Sequence, residues 1–383
     1  MLPLSSSARS AATGVEDLHP SNSFRMASTL LTILDAVPPA LNITSNLADD
    51  RLRDGHGRAI TDLRVSVTDR CNYRCVYCRT GNDGAQYSEL PISEYARMIK
   101  IFVSLGVEKI RLTGGEPLLR KGLRELVKEI SGTRLAFDNR PDARLDIALT
   151  TNGHLLEGLA EPLMRAGLAR VTVSMDAVDP EIFARITRVP DSYARVLRGV
   201  RVAQAIGLGP VKVNCVLLRG FNEDQIEAFA RFSREENVIV RFIEFMPLEE
   251  DRTWTPETVV PMDEIVARLN AFRPLVDLPP NHASETARRF TFDDGIGEIG
   301  IIAPVSRPFC GHCSRIRLTS DGKVRTCLFS QTDHDLVALM RRGASDEDLA
   351  VWIRAVVMRK EARHHIGEPG FLKPSRSMVH IGG

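Results

Sequence analysis

Three cysteines, Cys71, Cys75 and Cys78, stand in the order C-x3-C-x2-C just after the strand-like run Leu63-Arg64-Val65-Ser66-Val67-Thr68. Thiols spaced this tightly serve a metal centre rather than a packed core. Their number restricts the choice. A structural zinc site closes with four protein ligands, and a [4Fe–4S] cluster has four iron corners to satisfy. Three cysteines on such a cluster leave one iron open to another molecule. The loop therefore predicts a catalytic [4Fe–4S] centre with an exchangeable position, and the fold has to present it to a cavity.

The 383 residues suggest two domains. Lys and Arg (50) nearly balance Asp and Glu (49), which argues against nucleic acid or a membrane surface as partner. A polyanion would have to be met by a local group of cations. No apolar run is long enough for a membrane span, and no secretory signal is expected at the N-terminus. Seven cysteines, six of them in two tight groups, read as metal ligands in a reducing cytoplasm. Residues 1–45, rich in Ser, Ala, Asn and Pro, are expected to form a disordered extension.

From Thr61 onward the pattern is regular. Strand-like runs at 63–68, 108–113, 145–151, 170–175, 211–217 and 238–245 alternate with amphipathic stretches at 93–104, 120–131, 157–166, 192–206 and 222–236. This alternation predicts an α/β fold with a parallel sheet. Six strands rather than eight predict an incomplete (β/α)6 barrel over 46–250. Alternate residues of a strand share a face. One face then carries Arg64, Ser66 and Thr68, then Lys109, Arg111 and Thr113, then Thr172, Ser174 and Asp176, then Lys212 and Asn214. The other faces are mostly Val, Ile and Leu. Polar and cationic residues pointing inward predict a hollow lumen for a large anionic ligand. On the sixth strand Arg241 has the opposite parity to Glu244 and Met246, so a bulge is needed if all three face the site. The turn Thr113-Gly114-Gly115-Glu116-Pro117 follows the second strand, and its Glu116 offers a carboxylate to an ammonium group.

Past residue 250 the alternation fades, and 251–383 reads as an α+β segment. It holds a second triad, Cys310, Cys313 and Cys327. A turn at Ser320-Asp321-Gly322 between two strands would bring Cys327 back to the C-x2-C pair. A zinc knuckle completed by His312 is the alternative. The basic run Arg359, Lys360, Arg363, His364 and His365, near a last helix over 346–362, reads as a solvated face. Cys215, in mid-strand, reads as a buried thiol.

Together these motifs resemble the GTP 3′,8-cyclases of molybdenum cofactor biosynthesis, in the radical S-adenosylmethionine (SAM) superfamily. The C-x3-C-x2-C loop carries the superfamily resemblance. The second triad, Arg315, Arg317 and the Gly382-Gly383 end carry the cyclase resemblance, which covers about residues 60–383. It implies two [4Fe–4S] clusters, one on Cys71, Cys75 and Cys78 with SAM on its open iron, the other on Cys310, Cys313 and Cys327 facing guanine. It implies SAM contacts at Tyr77, Gly115, Ser174 and Met246, to which Glu116 is added. It implies GTP contacts at Arg64, Arg111, Thr150, Lys212, Arg315 and Arg317, with Lys109 and Arg241 as further candidates. Gly382 and Gly383 are expected to thread back into the site. An electron donor, cyclic pyranopterin monophosphate synthase as the next enzyme, a cytoplasmic location and room for a homodimer complete the expectation. The chain departs from many relatives at Arg79-Thr80, where Met-Pro is common, and in a long loop at 132–144. A radical SAM peptide-modifying enzyme and a zinc-stapled binding module without catalysis are the alternatives.

Overall fold

Burial alternates along the strands as their side-chain parity requires. In β1 (Asp62–Ser66), Leu63 and Val65 are fully buried while Arg64 between them is half-open. β2 (Lys109–Thr113), β5 (Lys212–Leu217) and β6 (Ile239–Glu244) start the same way, and β3 (Asp146–Thr151) and β4 (Arg170–Ser174) complete the row. Neighbours from β1 to β6 all pair in parallel. Helices at Ile92–Ser104, Leu123–Ser131, Leu156–Ala166, Tyr193–Ala205 and Ile226–Glu235 lie between them in sequence. The computed structural model describes residues 51–78, 85–138, 140, 143–250 and 253–382. The extension 1–45, Arg79-Thr80, Gly383 and residues 139, 141 and 142 of the long loop lie outside the described residues.

An additional helix, Pro180–Thr187, follows β4. Its start is set locally, since Asp179 accepts from the amides of Glu181 and Ile182 and Pro180 opens the first turn. Past residue 250, β7 (Leu275–Leu278), β8 (Arg288–Phe292) and β9 (Glu298–Ile302) form an antiparallel set, and β9 joins β6 in parallel. β10 (Arg315–Leu318) joins β1 in parallel, and β11 (Lys323–Arg325) and β12 (His334–Asp335) follow antiparallel. The resulting order is β12-β11-β10-β1-β2-β3-β4-β5-β6-β9-β8-β7. The barrel is unclosed, and the C-terminal segment extends it at both edges. No helix among the described residues is long and apolar enough to cross a membrane.

The bulge considered for the sixth strand is absent. Pairing runs without interruption from Ile239 to Glu244. Glu244 turns away from the lumen and accepts from the amides of Met262, Val305 and Ser306 at 3.0, 2.8 and 2.9 Å. Met246 reaches the cavity from beyond the strand end. The last long helix ends at Val357 rather than 362, and Lys360 is buried instead of solvated, donating to the Thr326 carbonyl.

Candidate active site

A cavity of 510 Å³ is bounded by the half-open faces of β1–β6 and lined by both cysteine triads. None of the seven cysteines is in a disulfide; six are half-buried in the triads, and Cys215 is buried elsewhere. The first triad follows β1, in a loop tied down from three sides. Arg74 and Val76 donate their amides to Thr187 and Ile186 at 3.1 and 3.0 Å. Tyr77 donates its hydroxyl to Asp176 at 2.7 Å. Asn152 donates to the Asn72 side chain at 2.7 Å. Burial pushes the Asp176 carboxyl up to about 6, against the Tyr77 hydrogen bond.

The double glycine after β2 has a steric reason. A Cβ at Gly114 would stand 2.3 Å from the Thr68 carbonyl oxygen, and one at Gly115 2.4 Å from that of Arg70. Only glycine lets this turn lie against the chain entering the cysteine loop. Gly115 donates to Thr68 and Glu116 to Arg70 across that seam, at 2.8 and 2.7 Å. Glu116, expected at the SAM site, is fully buried and is not part of the cavity wall. Its carboxylate accepts from the Leu118 amide, the Thr151 hydroxyl and the Asn152 amide at 2.9, 2.7 and 2.7 Å. Burial outweighs these donors and pushes it up to about 7. It braces two turns rather than meeting a ligand.

At the second triad the β10–β11 hairpin returns the chain to the C-x2-C pair, and all three sulfur-bearing residues line the cavity. Arg58, which the sequence did not mark, ion-pairs with Asp54 at 2.6 Å and donates to the Cys310 carbonyl at 2.7 Å. Arg315 stacks on Phe309 at 5.0 Å and reaches the Cys313 sulfur at 3.4 Å. Burial raises the Cys313 thiol, but Arg315 and Lys360 overcome it and bring it down to about 6. His312 is exposed and off the cavity wall, so it does not join the triad. Among the described residues no three His, Cys, Asp or Glu side chains are arranged to hold a single metal ion. Thiolates on a cubane bind different irons and stand further apart, and an all-thiolate set suits iron–sulfur chemistry.

The lumen cations lie in rows set by strand register. Arg317, Arg64 and Arg111 are consecutive partners across β10, β1 and β2. Neighbouring strands are about 4.8 Å apart, so three guanidiniums rise from one narrow row. Burial, then Arg317 and Arg111, pull the Arg64 guanidinium well below its ordinary range. Arg111 falls to about 10 through burial and then Arg241 and Arg170. Lys212 falls to about 7 through burial and then Arg241, Arg170 and Arg111. Arg111 donates to Thr150 and Thr172 at 3.1 and 3.2 Å. A parallel row pairs its charges: Lys109 stands 3.5 Å from Asp62 and 4.0 Å from Asp146, and Arg170 donates to Asp146 at 3.1 Å. Among the described residues no carboxylate ion-pairs with Arg64, Arg111 or Lys212. Arg241 Nε, a buried donor on the cavity wall, has no partner among the described residues. This surface fits an anion.

Tyr77, Gly115, Ser174 and Met246 line the cavity, as do Arg64, Lys109, Arg111, Thr150, Lys212, Arg241, Arg315 and Arg317. Gly382, at φ +70°, packs on Thr113 and Ser66, where a Cβ would stand 2.6 Å from the Thr113 methyl. Its carbonyl accepts from Arg317. Arg170, Asp146, Asp62 and Glu285 also line the cavity without having been singled out, and so does Lys360, which the sequence placed on a solvated face. Arg170 shares the parity of Thr172 and was within reach of the sequence.

Residues 65–233 match the radical SAM superfamily and residues 238–366 match Molybdenum Cofactor Synthesis C. The GTP 3′,8-cyclase of Acidothermus cellulolyticus is 44% identical over 297 residues, 76% of this chain and 80% of that protein. That of Streptomyces coelicolor is 42% identical over 338 residues, 87% and 96% respectively. The chain belongs to the GTP 3′,8-cyclase family. A GTP 3′,8-cyclase is a radical SAM enzyme, so SAM and an iron–sulfur cluster are its cofactors, and the non-catalytic zinc module and the peptide-modifying enzyme fall away. Streptococcus suis SuiB, in a crystal structure with S-adenosylmethionine, superposes with a TM-score of 0.56 at 12% identity, over 94% of this chain and 83% of that one. That likeness speaks for the fold alone.

Proposed function

We propose that this cyclase converts GTP to (8S)-3′,8-cyclo-7,8-dihydroguanosine 5′-triphosphate, the first step of molybdenum cofactor biosynthesis, in the cavity between its two cysteine triads. The observation that carries the reading is the Arg317–Arg64–Arg111 row in a cavity reached by both triads. Cys71, Cys75 and Cys78 would hold one [4Fe–4S] cluster, and Cys310, Cys313 and Cys327 a second. Held by Cys71, Cys75 and Cys78 and bound together with SAM, the first cluster would supply the chemistry of a 5′-deoxyadenosyl radical.

The chain's own residues position and shield. Tyr77, Gly115, Ser174 and Met246 form the wall for SAM. Arg64, Arg111 and Lys212 offer charge to the triphosphate, the arginines through forked hydrogen bonds. Thr150 keeps Arg111 oriented. Arg315, on the Phe309 face, belongs to the guanine end. Anchoring the nucleotide at both ends fixes ribose carbon 3′ relative to guanine carbon 8, which turns bond formation into a problem of orientation already solved on binding.

A one-electron donor has to feed the reaction, and cyclic pyranopterin monophosphate synthase would take the product. Anaerobic incubation of reconstituted protein with SAM, GTP and a reductant tests the proposal. The expected result is 5′-deoxyadenosine together with a cyclised GTP derivative, and no cyclised product from ATP. 5′-Deoxyadenosine without any cyclised nucleotide would reject the assignment.

A further inference from the structure

Three of the acids that line the lumen already have partners there: Asp62 and Asp146 serve Lys109 and Arg170 in the paired row, and Asp176 accepts from the Tyr77 hydroxyl and the Val216 amide. Glu285 is different. It comes from the 279–287 connection between β7 and β8, and this connection lines the cavity at Asn281, His282, Ser284, Glu285 and Thr286. Its side chain is only 6% exposed, and its carboxylate lies 3.4 Å from Arg241 Nη2. The carboxylate is fixed there from its own loop. It accepts from the Asn281 amide at 2.7 Å and from the Asn281 side chain at 3.1 and 3.3 Å, while the Glu285 amide donates to the His282 carbonyl at 3.0 Å.

Arg241 is underused by this arrangement. Its contact with Glu285, at 3.4 Å, is at the long end of the hydrogen-bond range, and its buried Nε has no partner among the described residues. Gly300, its register partner on β9, leaves just enough room for its stem, since a Cβ there would lie 3.1 Å from Arg241 Cγ. Arg241 and Lys212 also feel each other's charge, and Glu285 is the carboxylate that opposes that repulsion at Lys212. A carboxylate held beside otherwise unpaired cations has two effects on an anion. It leaves the near cations free, and it repels any further negative charge that would have to share Arg241.

We infer that Glu285 is a specificity-determining residue that limits the length of the polyphosphate accepted in the lumen. The inference rests on the reading that Arg64, Arg111 and Lys212 hold the triphosphate. Arg241 with Glu285 then bounds the phosphate subsite beside Lys212, so that a triphosphate fits and a fourth phosphate meets a fixed negative charge. Such a rule is one of exclusion as much as attraction.

The test uses the reconstituted enzyme under anaerobic conditions, with guanosine 5′-diphosphate, GTP and guanosine 5′-tetraphosphate as probes and SAM affinity as the control for an intact fold. The unmodified enzyme should bind GTP more tightly than the tetraphosphate. Equal or tighter binding of the tetraphosphate overturns the inference without any variant. In Glu285→Gln the tetraphosphate should gain about tenfold or more in affinity, the scale of one unit charge removed at close range in a partly solvated site. GTP should gain less and the diphosphate should stay within about twofold. An equal change for all three, or a loss for all three with SAM affinity kept, assigns Glu285 a structural role and ends the proposal. Failure of the unmodified enzyme to bind GTP at all would instead remove the triphosphate reading beneath it.

Discussion

At the scale of single residues the lumen is a set of cations kept in readiness for an anion. Arg111 is held by two hydroxyls, and among the described residues no carboxylate ion-pairs with it, so its charge is open to a ligand. Arg111→Ala should weaken GTP binding by about 1.5–3 kcal/mol, the range for hydrogen bonds to charged groups, and SAM binding by much less. Calorimetric titration of both ligands checks this, and equal losses would move Arg111 out of the phosphate subsite. Lys212 adds a pH dependence. Burial first, then Arg241, Arg170 and Arg111, bring its ammonium down to about 7, so in the free enzyme it loses its proton as pH rises through neutrality. A bound triphosphate favours the charged form. Binding therefore takes up a proton above pH 7, and GTP affinity should fall as pH rises from about 7 to 9. Lys212→Arg, whose guanidinium stays charged, should flatten that fall. Titrations in buffers of different ionisation heat measure the proton uptake directly, and identical pH profiles for the two proteins would clear Lys212 of the role.

The elements show why some of the site could be read from the sequence and some could not. Strands β1, β2 and β5 alternate cleanly, so Arg64, Arg111 and Lys212 were assigned to the lumen by parity alone. The same rule left Glu244 and Arg241 in conflict, and the structure resolves it by facing Glu244 outward onto the amides of Val305 and Ser306. Those partners are more than sixty residues away, and no local pattern announces them. β7, β8 and β9 were missed for a related reason. Arg288, Arg289 and Gly300 interrupt their short apolar runs, and only β9 gains β6 as a neighbour. Glu116 was read as a ligand group because a carboxylate in a glycine turn looks available; three protein donors take it instead. The second triad was legible because the Ser320-Asp321-Gly322 turn fixes where Cys327 returns. Its separate role gives a prediction at this scale. Cys310→Ala leaves the first cysteine loop and its supports untouched, so it should retain part of the SAM cleavage and lose the cyclised product. Parallel assays of 5′-deoxyadenosine and cyclised nucleotide decide it, and continued cyclisation would show that the second triad does not anchor the substrate.

For the whole molecule the decisive feature is how the C-terminal segment covers both edges of the six-stranded core. β9 pairs with β6 over five residues, Ile239 to Ile243, and β10 pairs with β1 over four, Asp62 to Val65. The edges that remain are β12, two residues long, and β7, four residues long with Asp277 on it. Short, charged edges of this kind resist pairing with other chains. A fragment stopping at residue 250 would leave β1 and β6 bare, with their unpaired amides and carbonyls facing solvent. It would also lose Arg317 from the arginine row and the part of the cavity wall that carries the second triad. Such a fragment, residues 46–250, should self-associate and lose the cooperative unfolding of the full chain. Size-exclusion chromatography and thermal unfolding of both proteins test this. A monomeric fragment that melts as sharply as the full chain would mean that the barrel is complete without its C-terminal strands, and that those strands serve substrate binding alone.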